Sequence, residues 1–265
     1  MTQVQTAYLA KIFIYPVKSL DAVEVENATI TDSGSLRYDR EFALVDAQNR
    51  FVNGKRYPQL HLLRSTFSLA KRLIKVKFPG ENSEQVFHLD EERPALAAAL
   101  SNFMGFPVQL QQNTNMGFPD DTDSPGATII STHTLTEVVS WFPSINIDEM
   151  RRRMRANIEI DGVPAFWEDR LFAAGGETVA FKIADVQFLG INPCQRCIVP
   201  TRDSYSGEVY PNFQKIFRQK RQATLPNYVN TTQFNHFYRL AVNTRVPISE
   251  VGKKIIIGSS MEICQ

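Results

Sequence analysis

Residues 192–200 read NPCQRCIVP, with Cys194 and Cys197 three apart and Gln195 and Arg196 between them. Two thiols at this spacing suit half of a zinc site, a dithiol redox couple, or a thiolate offered to some other metal. A structural zinc site needs a second pair or two histidines. Beyond this pair the chain has only Cys264, and His61, His88, His133 and His236 are scattered singly. A thioredoxin-like couple wants a helix after the strand. Here IVPTRDSYSGEVYP follows, with two prolines and turn residues. Two ordinary half-buried thiols in a loop would leave Arg196 unexplained. A single thiolate beside a cation fits a soft or high-valent metal that arrives within a cofactor and brings its other ligands along. All four readings stay open on the residues alone.

The elements that must position this pair are mostly strands. Strands are expected at 10–17, 22–31, 41–46, 73–78, 85–89 and 108–113, and again at 157–162, 178–190, 237–246 and 253–258. AQN and PGENSE mark two hairpins. Helices are expected at 91–104, stopped by Gly105, at 133–142, capped by Thr132 or Thr134, and at 213–223. The polar, Gly/Pro-rich run 113–127 divides the chain into domains 1–118 and 119–265. With no regular βαβ alternation, the fold class is α+β, predominantly β.

The 265 residues are 43% hydrophobic and 22% charged, with a net charge of +1. That balance makes no global case for nucleic acid or membrane as partner. No apolar run reaches spanning length, no secretory leader is evident, and three cysteines suggest a reducing compartment, so a cytoplasmic location is expected. Neither common Gly-rich phosphate loop is present.

PCQRCIVPTRDSYSGE (193–208) resembles the MOSC domains of the group containing the mitochondrial amidoxime-reducing component and its bacterial relatives. IYPVKSL (14–20), YDREFALVD (38–46), RMRANIEIDG (153–162) and FWEDRL (166–171) resemble further segments of that family, in order. The resemblance implies a β-rich N-terminal domain followed by a MOSC β-barrel, with the molybdenum cofactor (molybdopterin) between them. It makes Cys197 the molybdenum ligand and the catalytic residue. It gives Lys18, Ser19, Arg40, Arg155, Asn157, Gln195 and Arg196 to the pterin and its phosphate, with Thr134 as a further contact. Three departures stand out: Gln195 replaces a serine, Ala156 replaces a proline, and Trp167 precedes the acids Glu168 and Asp169.

The residue types agree with a phosphorylated pterin, a flat polyanion that calls for cations and neutral donors. Arg151 and Arg152 are expected to be solvated, and Arg155 to point inward. Glu168 and Asp169 are expected either to support these arginines or to form a turn. The resemblance implies an oxidoreductase that reduces small N-hydroxylated substrates such as amidoximes or hydroxylaminopurines. The alternatives are a non-catalytic cofactor carrier and a small-anion binding module without metal. No cluster-binding cysteine spacing or dinucleotide fingerprint is present, so electrons are expected from a separate donor protein: a ferredoxin, flavodoxin or cytochrome b5-like protein. Pyridoxal phosphate is not expected. Lys215, Arg218, Lys220 and Arg221 on the basic helix are expected to dock an acidic donor.

Overall fold

The structure, a computed structural model, describes residues 6–264. The strands of the first part are β1 (Tyr8–Ile14), β2 (Val23–Val25), β3 (Asn27–Thr29), β4 (Phe42–Val45), β5 (Arg64–Ser68), β6 (Leu73–Lys77), β7 (Gln85–His88) and β8 (Gln109–Gln112). There follow β9 (Ile129–Ser131), β10 (Ile158–Asp161), β11 (Val179–Ile183), β12 (Val186–Gln195), β13 (Arg239–Arg245), β14 (Lys254–Ile256) and β15 (Met261–Ile263). The helices are α1 (Arg93–Met104), α2 (Thr132–Ser140), α3 (Ile147–Met154) and α4 (Phe213–Ala223).

One sheet runs β15-β11-β12-β13-β9-β10-β1-β2. It curls until β1 meets the segment leading into β15: Tyr8 bridges Ser260, and Leu9 N donates to Ser259 O at 2.9 Å. Gly258 N returns a bond to Leu9 O at 2.7 Å. Leu9, Ile12, Ile129, Ile158, Phe188 and Val242 are among the buried residues this curl encloses. A second core joins β4, β8, the β5-β6-β7 sheet and α1 through Phe42, Ile74, Val76, Leu96 and Leu100. A third lies among α2, α3 and α4, where the Phe142 and Phe213 rings stack 4.3 Å apart. The large sheet thus takes strands from both sides of residue 118.

Local chemistry explains the helices. In α1, Leu96, Leu100 and Met104 recur at helical spacing on the buried side, and Gly105 closes it at φ 77°. The cap of α2 is Ser131, one residue earlier than expected, and its Oγ accepts from Thr134 N at 3.0 Å. The sequence reading missed α3. Asn146 caps it, Asp148 and Glu149 sit in its first turn and three arginines in its last, an arrangement that complements the helix dipole.

Two expected strands are divided. Residues 22–31 form β2 in the large sheet and β3 paired with β14. Residues 178–190 form a hairpin that reverses at Ala184–Asp185, with Ala184 at φ 52°. Among the described residues, no helix is long and apolar enough to cross a membrane.

Candidate functional site

A cleft of about 930 Å³ opens between the curled sheet and the N-terminal strands. Seven of the nine residues singled out in the sequence line it: Lys18, Ser19, Arg40, Arg155, Gln195, Arg196 and Cys197. They arrive from separate places: the turn after β1, the turn before β4, the end of α3 and the end of β12. The cleft wall carries twelve Lys and Arg against five Asp and Glu. A chain with a net charge of +1 therefore focuses positive potential here.

Among the described residues, three of the ten non-glycine residues with positive φ line this cleft. Ser19 (φ 74°), Arg40 (φ 49°) and Arg155 (φ 53°) all adopt left-handed conformations. Such residues persist only where their surroundings over-determine them, and they cluster at binding and catalytic sites. Arg155 is also the residue that ends α3. Its Nη2 donates to Leu20 O at 2.7 Å, and its guanidinium lies 4.3 Å from the Tyr15 ring centroid. Arg40 pairs with Asp39 at 2.5 Å and donates to Asn157 Oδ1 at 3.3 Å. Asn157 lies behind the wall, bonded to Thr128 and to Phe13 O, so it positions Arg40. Ser19 Oγ accepts from Gly54 N at 3.2 Å. Tyr15, quoted in the sequence but not singled out, is the buried ring under both guanidinium groups.

Cys194 falls where the β12–β13 pairing shifts register between Pro193 and Gln195. Such an irregularity re-aims a side chain at the end of a strand. All three cysteines are free thiols. Arg196 Nη1 donates to Cys194 Sγ at 3.3 Å, and Nη2 donates to Met154 O. The guanidinium therefore bonds the Cys194 thiol, and both Cys194 and Cys197 line the cleft.

Lys18 Nζ donates to Phe118 O at 2.8 Å and pairs with Asp120 at 2.7 Å, while Lys55 approaches the same carboxylate at 3.3 Å. Burial pushes Asp120 up, but Lys18, Lys55 and Arg40 outweigh it and hold the carboxyl below its usual range. Asp120 is thus ionised at neutral pH and occupies cations that would otherwise be open to an anion. Asp120→Asn is expected to strengthen binding of inorganic phosphate by about fivefold to tenfold, as removing a competing charged hydrogen bond would. Calorimetric titration checks this, and unchanged or weaker binding would discount the competition.

Thr134 lies elsewhere. It is fully buried at the start of α2, accepting from Phe166 N at 2.6 Å and donating to Glu168 Oε2 at 2.9 Å. Glu168 and Asp169 support none of the cleft arginines, since Asp169 pairs with Arg221. Burial, with help from Asp169, pushes Glu168 up to about 7. A folded-state value above the unfolded one favours folding in acid. Its contribution, about 3 kcal/mol, is present below roughly pH 4.5 and lost as pH rises through 7. Thermal unfolding across pH 5–8 should show the loss, and Glu168→Gln should flatten it. An equal slope in that variant would contradict the assignment.

Arg151 is not solvated as expected, because it makes two bonds to Glu159, at 2.6 and 2.8 Å. Arg152 reaches the cleft wall. Lys55, Asp120, Arg64, Arg202 and Arg239 line the cleft without having been singled out. They sit in turns and strand ends, where sequence spacing carries no sign of convergence.

Several buried polar atoms on cleft residues have no partner: Nε of Arg196, Arg202 and Arg239, and Nε2 of His61. Buried donors are normally satisfied, so these suit a ligand with many acceptors. Among the described residues, no three His, Cys, Asp or Glu side chains gather as a metal site. A metal held at Cys197 would take its other ligands from a cofactor. The residues present fit an anionic, metal-bearing pterin.

Fold and cleft define a β-rich protein with a cation-lined ligand site. Residues 6–109 match the model of the MOSC N-terminal beta barrel domain family. The chain is similar to the molybdenum cofactor sulfurases of Homo sapiens (24% identical, covering 78% of this chain and 28% of that protein), Drosophila melanogaster (28%, covering 77% and 29%) and Bos taurus (25%, covering 86% and 30%). It therefore spans less than a third of the length of these relatives.

Proposed function

We propose that this chain binds the molybdenum cofactor in the cleft and reduces small N-hydroxylated compounds, using electrons from a separate donor protein. The observation that carries this reading is convergence. Cations from distant segments, three residues with strained backbone and a free thiol face one cavity. The relatives' names independently concern the same cofactor.

In this reading Cys197 is the metal ligand, and Lys18, Arg40 and Arg155 take the phosphate. Asn157 and Tyr15 hold the two arginines in place. Ser19, Gln195 and Arg196 supply neutral and charged donors along the pterin. When bound, the cofactor supplies a two-electron reduction of the N–O bond. Overall, R–NH–OH takes up two electrons and two protons and gives R–NH2 and water. Thr134 has no part in this set, because its hydroxyl is consumed at the start of α2.

A second reading has a specific observation behind it: the relatives are named for work on the cofactor itself. In that case the chain carries or passes on the cofactor without reducing a substrate. Molybdenum and pterin analysis of purified protein, followed by benzamidoxime reduction with a chemical reductant, separates the two. Turnover supports the reductase. A loaded but inactive protein favours the carrier, and absence of both metal and pterin removes both readings.

A further inference from the structure

Tyr205 lines the cleft and is 51% exposed, yet it is held firmly. Its backbone N–H donates to Asp203 Oδ1 at 2.9 Å, and the next residue donates to the same oxygen at 2.8 Å. On its other side, Ser204 N donates to Glu149 Oε1 at 2.8 Å and Ser204 O accepts from Arg64 Nη2. Two guanidinium groups pack on the ring, Arg64 at 4.7 Å and Arg152 at 4.5 Å from its centroid. A solvated tyrosine needs none of this support.

The charge nearby is not fully balanced. Arg64 meets Asp21 at 3.3 Å, and Arg152 meets Glu149 only at 3.6 Å because Arg153 holds that carboxylate at 2.6 Å. Arg153 also reaches Asp203 at 3.4 Å. Arg202 has no ion pair among the described residues and spends Nη1 on Gly207 O. Its Nε, and Nε2 of the neighbouring His61, are buried without partners. Four cations therefore face three carboxylates, and Arg202 keeps an unpartnered N–H group. The cleft, about 930 Å³, lies near the top of the roughly 300–1,000 Å³ range for small-ligand sites.

We propose that Tyr205, Arg64 and Arg152 form a second subsite, which takes the planar ring and acidic group of an anionic aromatic substrate. Guanidinium groups and a tyrosine ring offer planar stacking together with a bidentate hold on a carboxylate or phosphate. The subsite rests on the reading of the cleft as a reductase site, and it names which N-hydroxylated compounds that site would prefer.

Benzamidoxime and 4-carboxybenzamidoxime differ only in the acidic group. Calorimetric binding to the protein without reductant reads the subsite, and KM with a chemical reductant reads turnover. The carboxylated compound is expected to bind about tenfold tighter, the worth of one charge-assisted contact, with the preference fading as salt rises. Arg152→Gln and Tyr205→Ala should bring the ratio towards one, and Tyr205→Phe should keep it. No preference for the carboxylate, or a preference that survives both substitutions, overturns the proposal. Preferential binding without turnover of either compound leaves the subsite standing and removes the reductase reading.

Discussion

An Arg221→Ala variant is expected to lose about 3–5 kcal/mol of stability, the loss typical of breaking a buried ion pair from one side. Arg221 is 0% exposed and its partner Asp169 3%. The guanidinium also lies 4.3 Å from the Phe166 ring centroid and donates to Arg239 O at 3.4 Å. Its removal leaves a carboxylate with no compensating charge beneath α4. Burial already pushes Asp169 up despite the partner, so desolvation is a large opposing effect. For that reason Arg221→Met combined with Asp169→Leu should recover most of the loss. Urea midpoints would measure both. If Arg221→Ala behaved like Lys220→Ala, within about 0.5 kcal/mol of the parent as surface changes usually are, the ion pair would carry no weight. The expected docking role is corrected at this residue. Lys215, Arg218 and Lys220 remain exposed on α4, whereas Arg221 faces the interior.

If the chain is the proposed reductase, Cys197→Ala is expected to lower its activity by on the order of 100-fold or more, since even outer-shell changes at metal sites cost roughly 10–100-fold. Cys194→Ala should be milder, within about tenfold on the same scale. Its thiol is bonded to Arg196 Nη1, and its loss frees that donor without removing a ligand. Activity should be read beside molybdenum and pterin content. On the proposed reading the two effects then divide: Cys197→Ala would lose the metal bond, while Cys194→Ala would mainly shift the guanidinium. An active Cys197→Ala protein with full metal content would reverse the assignment.

Elements built from nearby residues were legible in the sequence. The α1 stripe with its closing Gly105, the hairpin around PGENSE and the amphipathic α4 all show in local pattern. β9 and β15 have three residues each and exist only through pairing with distant strands. The buried side of α3 includes Glu149 and Arg153, joined at 2.6 Å. A search for apolar period cannot see a buried face made of an ion pair. The same limitation hid Arg221. The cleft became legible through resemblance alone, because convergence of Lys18, Arg40, Arg155 and Cys197 is a property of the folded chain. The near-zero net charge concealed it further, since balancing acids lie outside the cleft.

The left-handed backbones of Ser19, Arg40 and Arg155 bear on how this protein can change over time. Each conformation costs a residue with a side chain roughly 1–2 kcal/mol, and glycine almost nothing. Replacing any of the three by glycine would relax the chain while erasing a donor or a cation from the cleft. A library screened for heat resistance alone should therefore collect glycine at Ser19, which gives up one bond to Gly54 N, whereas Arg40→Gly would strand the buried Asp39 carboxylate and cost more than the strain it relieves. A lineage whose cleft must keep the Ser19 hydroxyl has to tolerate the tension, and one freed of that need would drift to glycine at position 19 first.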